Sequence, residues 1–320
     1  MKFTKLHISN FRGIPSLEVD FIAPGTKTAM DVAVFAGPNG CGKTAVLEAC
    51  LICLDRTDLM SEQRVYNKNN VRSGAQGFFL KADFQDAPGR RSVEIQSNSQ
   101  GSYELKPRLH VTKIAYFSSW REPRLVGPVA IATGKPKKKP KAAEENRLWR
   151  IKNYFVNLQA RRAFEEPHGG PVPASQEAIH FLHRLNETWR MFYPQRQDRF
   201  EAFSASQNVE EGFDLFFLRD NLRLPVDSLS SGELEVLVFI GSLVIEDLAG
   251  GIVFIDEPEL HLHPAWHRVM LRAIRALLPH TQIICSTHSA EVLDSVASYE
   301  RFFVLDPSDP RFRLVETQAQ

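Results

Sequence analysis

Val32-Ala-Val-Phe-Ala-Gly-Pro-Asn-Gly-Cys-Gly-Lys-Thr44 is the stretch on which the fold reading turns. Its first residues are apolar and partly β-branched, as in a buried strand. They run directly into Gly37-x-x-x-x-Gly42-Lys43-Thr44, and Ala45-Val46-Leu47-Glu48-Ala49 behind them reads as the opening of a helix. Strand, glycine-rich loop and helix in that order are the context in which this spacing cradles a polyphosphate. The glycines let backbone N–H groups turn inward, and the helix N-terminus adds partial positive charge. Asn39, Gly40, Cys41 and Gly42 would line the phosphates, Lys43 would reach the outer two, and the Thr44 hydroxyl would ligate Mg²⁺. The expected ligand is a nucleoside triphosphate.

Outward from this loop, 320 residues leave room for one large domain or for a core with a substantial insertion. No apolar run approaches a membrane span, and Met1-Lys2-Phe3-Thr4 opens no signal peptide, so the cytoplasm is the expected compartment and no membrane partner is expected. Cys41, Cys50, Cys53 and Cys285 suggest no disulfide framework, and Cys50-Leu-Ile-Cys53 reads as packing on a helix. Net charge is +1, but residues 121–200 carry sixteen Lys and Arg against eight Asp and Glu, while the remainder carries 23 against 30. That separation points to an anionic partner for the middle segment, nucleic acid included; a solvated helical face is the alternative.

Residues 5–21 alternate apolar and polar about Gly13–Pro15 and predict a β-hairpin. Residues 73–84, 91–96 and 113–117 read as strands extending the sheet around the phosphate-loop strand. Gly134-Lys-Pro-Lys-Lys-Lys-Pro-Lys141 then buries too little apolar surface to order itself. Helices are expected at about 144–164 and 175–192, forming a basic insertion. Beyond Phe213 come an apolar alternation into Leu224, a helix from Ser230 to about Leu248, a buried strand ending in Asp256-Glu257, and a helix over 265–278. Two further strands at 282–286 and 301–306 complete a largely parallel α/β sheet. The expected division is an N-terminal lobe at 1–125, the basic helical insertion at 126–205 and a C-terminal lobe at 206–320.

Chemistry concentrates at the strand ends. In Ile252-Val-Phe-Ile-Asp256-Glu257, Asp256 is placed to hold Mg²⁺ and Glu257 to polarise an attacking water. Leu229-Ser-Ser-Gly-Glu233 opens a helix, where Ser230, Ser231 and Gly232 can present donors to phosphate; an ordinary Ser N-cap with Glu in the first turn is the plainer reading. His288 in Ser286-Thr-His-Ser is placed to contact the outer phosphate. His261, His263 and His267 have metal-like spacing, but no acid or thiol cluster completes a site.

These motifs, in this order, resemble those of ABC-type ATPases of the non-transporter class that includes SMC, RecF and OLD proteins, labelled AAA-15 or AAA-21. Gly37-Pro-Asn-Gly-Cys-Gly-Lys-Thr, Leu-Ser-Ser-Gly-Glu, Phe-Ile-Asp-Glu-Pro-Glu-Leu-His-Leu-His-Pro and Ser-Thr-His-Ser carry the resemblance, with Ile8-Ser-Asn-Phe-Arg-Gly-Ile and Val71-Arg-Ser-Gly beside them. It covers about 1–120 and 210–306. The resemblance implies a P-loop head of the ABC type, with N-terminal antiparallel β elements and the basic insertion where SMC proteins carry a coiled coil. It implies ATP and Mg²⁺ as ligands, with Arg12 approaching the nucleotide and Ser118–Arg121 as the candidate Q-loop. It also implies a head-to-tail homodimer, or a larger assembly, in which Ser230, Ser231 and Gly232 act on the nucleotide of the other copy. Lys43, Thr44, Asp256, Glu257 and His288 would act within one copy, and Glu259–Pro264 would lie at the dimer interface. Compact proteins of this class resemble the ATPase components of bacterial anti-phage modules, paired with a separate nuclease or toxin effector. A RecF-like ATPase binding duplex DNA in repair or replication is the competing reading, and a transporter subunit fits the motifs less well.

Overall fold

The computed structural model describes residues 1–60, 67–86, 89–105, 107, 109, 113–118, 146–165, 176–201, 214–246, 248–260 and 262–304. The chain divides into two compact units. The first is Met1–Trp120 with Leu248–Leu260 and Leu278–Gln320, and the second is Arg121–Asp247 with His261–Leu277.

In the first unit the phosphate-loop strand β3 (Val32–Ala36) belongs to a five-stranded parallel sheet. Its order is β12 (Arg301–Phe303), β3, β11 (Gln282–Thr287), β10 (Ile252–Asp256) and β6 (Ile114–Phe117). Every residue of β3, β10 and β11 is buried, as expected of strands covered on both faces. The register pairs Asp256 with Ser286 and Thr287 with Ala36, so the carboxyl ends of three adjacent strands finish at one edge. That edge is where open α/β sheets bind ligands.

The second sheet of this unit is antiparallel, in the order β2 (Ile14–Asp20), β1 (Lys2–Phe11), β4 (Phe79–Asp86), β5 (Gly89–Gln96). Here the expectation that residues 73–96 extend the phosphate-loop sheet is corrected. The short link between Asp86 and Gly89 permits only an antiparallel hairpin, and both strands alternate buried with exposed residues rather than burying both faces. The first hairpin also turns earlier than expected: Phe11 pairs with Ile14 across Arg12-Gly13, and Pro15 sits within edge strand β2. Helix α1 (Lys43–Cys53) packs against strands of both sheets, which is why ten of its eleven residues are buried. Phe3 meets Phe254 edge-on at 6.2 Å and Phe21 meets Phe35 at 6.3 Å, joining the two sheets through one aromatic core.

The second unit is built on helix α4 (Ser231–Ile245), whose residues Glu233 to Val244 are continuously buried. Helices α2 (Arg147–Glu165), α3 (Gln176–Phe192) and α5 (Pro264–Leu277) pack around it. A three-stranded antiparallel sheet of β7 (Arg199–Glu201), β8 (Phe216–Arg219) and β9 (Leu222–Pro225) adjoins α3. Trp189 packs on Phe200 and Phe217 with ring centroids 5.0 and 5.4 Å away. Asp220 and Asn221 both take positive φ (50° and 61°), the conformation of a two-residue hairpin turn matched to strand twist. Lys152 of α2 is fully buried and is neutralised by Asp214, at 2.7 Å, and Asp227. Among the described residues no helix is long and apolar enough to cross a membrane.

Candidate active site

The loop between β3 and α1 supplies a backbone cradle. A Cβ on Gly37 would lie 2.7 Å from Cys41 Sγ, so only glycine lets the buried Cys41 side chain tuck beneath the loop. Gly42 is the N-cap of α1 with φ 107°, and no side chain hydrogen-bonds the first turn from that position. The uncapped N–H groups there are available to an anion. Asn39 and Gly40 form the exposed tip. Lys43 folds back over the loop, its Nζ donating to the carbonyls of Gly37 (2.9 Å) and Pro38 (3.1 Å) and to His288 Nδ1 (3.4 Å). Burial draws the Lys43 pKa below its ordinary value, while Cys41 and the carboxylates of Glu257, Asp256 and Glu259 act in the opposite direction.

The ends of β10 and β11 bring the acids to the cradle. Thr44 Oγ1 lies 3.0 and 2.9 Å from the two carboxylate oxygens of Asp256, and Ser286 Oγ donates to Asp256 as well. Glu257 takes φ 53°, in the left-handed region, and its N–H donates to the Ser286 carbonyl at 3.1 Å. Left-handed backbone at a non-glycine residue costs energy, and such costs cluster where a side chain must be aimed off the strand. His288 Nε2 lies 2.9 Å from Glu257 Oε1. Since Lys43 can only donate, His288 Nδ1 is the acceptor and the ring proton sits on Nε2, given to Glu257. Lys43, His288 and Glu257 therefore form one hydrogen-bonded chain beside the Thr44–Asp256 pair.

Arg12 lies in the β1–β2 turn. Its Nη1 contacts Glu48, a fully buried acid one helical turn beyond Thr44, and its Nε donates to Asn70 Oδ1 at 3.0 Å. The structure thus ties Arg12 to the body of α1. All four cysteines are buried and unbridged; burial pushes the Cys53 thiol up to about 12 and raises Cys50 and Cys285 too, so those three pack as neutral thiols.

In the second unit, Ser230 is the N-cap of α4 within a capping box. Its N–H and hydroxyl donate to Glu233 Oε2, both at 2.9 Å, and its Oγ accepts from Glu233 N. Ser231 begins the helix. A Cβ on Gly232 would press to 3.2 Å from the Trp266 ring, which explains glycine there. Arg196 (2.5 Å) and Arg219 (2.6 Å) both reach Glu233 Oε1. Burial opposes ionisation of Glu233, but the hydrogen bonds from Ser230, Arg196 and Arg219 outweigh it and bring the pKa down to about 2. A carboxylate depressed below its ordinary 4.5 stabilises the fold above that pH, and the contribution disappears as pH falls from 4.5 toward 2. Urea midpoints of Glu233→Gln should therefore fall less steeply than wild type across that window; parallel slopes would refute the assignment.

His263 accepts from the Ala265 N–H and His267 contacts the Leu262 carbonyl (3.2 Å each), so both serve the start of α5. Among the described residues no group of three or more His, Cys, Asp or Glu side chains could hold a metal. The Thr44 hydroxyl with one carboxylate is the hard, sparse oxygen set that suits Mg²⁺ shared with substrate phosphates. His261, residues 119–121 of the candidate Q-loop, the lysine run 135–141 and the Arg161 and Arg162 side chains lie outside the described residues.

With this geometry in hand, the sequence matches the family described as "AAA domain, putative AbiEii toxin, Type IV TA system" over residues 32–294. The chain belongs to this family. It is similar to the Retron Ec83 probable ATPase of Escherichia coli, at 22% identity over 93% of this chain and 70% of that protein. A shorter match, 34% identical, joins 32% of the chain to 22% of the Retron Vc95 probable ATPase of Vibrio cholerae serotype O1 biovar El Tor. Septu protein PtuA of Bacillus mycoides (strain KBAB4) matches at 22% over 89% of the chain and 38% of that protein. The last two matches thus span less than half of the relative's own length. Among solved structures, an SMC head bound to the C-winged helix domain of ScpA superposes with a TM-score of 0.58 at 13% identity, covering 92% of each chain. The fold is that of an SMC head domain.

Proposed function

We propose that the chain is an ATP-driven switch: two copies close head-to-tail around ATP, hydrolysis separates them, and a separate effector protein responds. The observation that carries the reading is the meeting of Lys43, His288 and Glu257 in one chain beside the Thr44–Asp256 pair. In the reaction, the α1 N-terminus and Lys43 bind the phosphates, and Glu257 orients the attacking water and takes its proton. His288, donating from Nε2, fixes the Glu257 carboxylate while its other face meets Lys43. Thr44 and Asp256 would hold Mg²⁺, which when bound would neutralise charge on the outer phosphates. Ser230, Ser231 and Gly232 would complete the site from the second copy, as the SMC-like motif order implies. Similarity to Retron ATPases and Septu PtuA supports a place in a bacterial anti-phage module, in the cytoplasm, with a nuclease or toxin as the effector.

Mixing two inactive variants tests the sharing of sites. Lys43→Ala disables the site that holds it, and Ser230→Arg disables the site across the interface. In a mixed dimer both lesions fall in one site and the other is intact. Random pairing of equal amounts should restore about a quarter of the wild-type sites, half the dimers each carrying one. Activity no higher than in either variant alone would contradict the shared site.

A further inference from the structure

Glu259 is unexplained by the reaction above. It lies in the turn after β10, closed by the Leu260 N–H donating to the Glu257 carbonyl at 3.0 Å, so it moves with Glu257. The motif resemblance places the stretch beginning at Glu259 on a dimer interface, but its carboxylate faces inward, onto the end of β11. A single oxygen, Oε1, accepts from Thr287 Oγ1 (2.8 Å), His288 N (2.6 Å) and Ser289 N (3.2 Å). The other oxygen, Oε2, is sealed from solvent and has no hydrogen-bond partner among the described residues. All the directional bonding of this carboxylate is thus spent on three consecutive residues centred on His288.

We propose that Glu259 is a positioning residue for hydrolysis: it fixes the backbone of His288 so that the imidazole reaches Glu257 and Lys43. The geometry makes this a two-handed grip from one turn. Glu257 holds the ring at Nε2 and Glu259 holds the main chain at N, 29 residues away in sequence. The two ring nitrogens of His288 take their direction from Glu257 and Lys43, and its main chain takes its place from Glu259. Thr287 Oγ1 also accepts from Ser289 N at 2.9 Å, which locks the turn into one shape around Oε1. Without that acceptor Thr287 Oγ1 and His288 N lose this bond together, while Ser289 N keeps its bond to Thr287 Oγ1, and His288 loses its register with the acid that meets the water. The proposal rests on the ATPase reading above and adds to it the residue that aims its histidine.

Steady-state ATP turnover of the full chain tests this with four variants beside wild type. Glu259→Ala should lower kcat about 10–100-fold, the scale of a misaimed catalytic group, with KM for ATP within about threefold. Glu259→Gln keeps an acceptor oxygen in place and should restore most of the rate. His288→Ala should fall as far as Glu259→Ala, and the double variant should be no slower than His288→Ala alone, because both lesions remove one interaction. A merely structural role would instead multiply the two losses and shift KM with kcat. If Glu259→Ala melts at the assay temperature, Glu259→Asp, whose shorter stem withdraws the acceptor, takes its place with the same expected loss. Wild-type kinetics in the Ala or Asp variant, or multiplied losses in the double, would overturn the positioning role while leaving the ATPase reading standing. Absence of turnover in the wild-type chain would overturn both.

Discussion

Glu257→Gln should lower kcat for ATP about 10²–10⁴-fold, the range a positioned general base supplies, while ATP affinity stays within a few-fold. The substitution is nearly isosteric, and its amide oxygen can still accept from His288 Nε2, so the 2.9 Å contact that orients the side chain is kept. What disappears is the ability to take a proton from water. The phosphate cradle and the Thr44–Asp256 pair lie outside the change, which is why binding survives. Radiolabelled ATP hydrolysis and equilibrium binding on the same preparation separate the two quantities. Turnover at the wild-type rate would remove Glu257 from the reaction.

Lys43→Ala should act on the other quantity. Its ammonium is the cation held against the loop carbonyls of Gly37 and Pro38, and a triphosphate would draw its hydrogen bonds onto the outer phosphates. A hydrogen bond to a charged group contributes about 1.5–3 kcal/mol, so ATP affinity should weaken about 10–100-fold. Burial draws the Lys43 pKa downward despite the nearby carboxylates, so the folded chain gains little from this charge when no nucleotide is bound. The melting temperature without nucleotide should therefore change little, and the stabilisation added by ATP should shrink. A fluorescent ATP analogue titrated at low salt measures the first effect, and thermal melts with and without ATP measure the second. Affinity within twofold of wild type would contradict the phosphate-loop assignment.

The parallel sheet was readable because its strands are uninterrupted apolar runs ending in functional residues. Ile252–Asp256 starts after two glycines and stops at two acids, and Gln282–Thr287 stops at His288. Alternation identified the strands near residues 79–96 but could not say which neighbour they join. Alternating burial shows one solvated face and is blind to partner choice. Strand β7, at three residues, is too short to leave a period, and the Asp220-Asn221 turn was hidden inside a stretch read only for its apolar alternation. At the site, the Ser-x-x-Glu spacing made the cap at Ser230 legible. Arg196 and Arg219, which reach the same Glu233 from 37 and 14 residues away, left no local trace. Glu48 is a partial exception: an acid within the apolar helix Lys43–Cys53 signals a buried cation, and Arg12 fills that place. Glu259 stood in plain view two residues after Glu257, yet only the fold shows that it turns toward His288.

Closure of two heads around ATP is the central claim, and sedimentation of Glu257→Gln tests it most directly. This variant should bind ATP without discharging it, so the closed state has no exit. With ATP and Mg²⁺ it should sediment as an assembly larger than the nucleotide-free species, and adding Ser230→Arg to the same chain should abolish the shift. An unchanged sedimentation coefficient with and without ATP, under conditions where binding is saturated, would contradict the account.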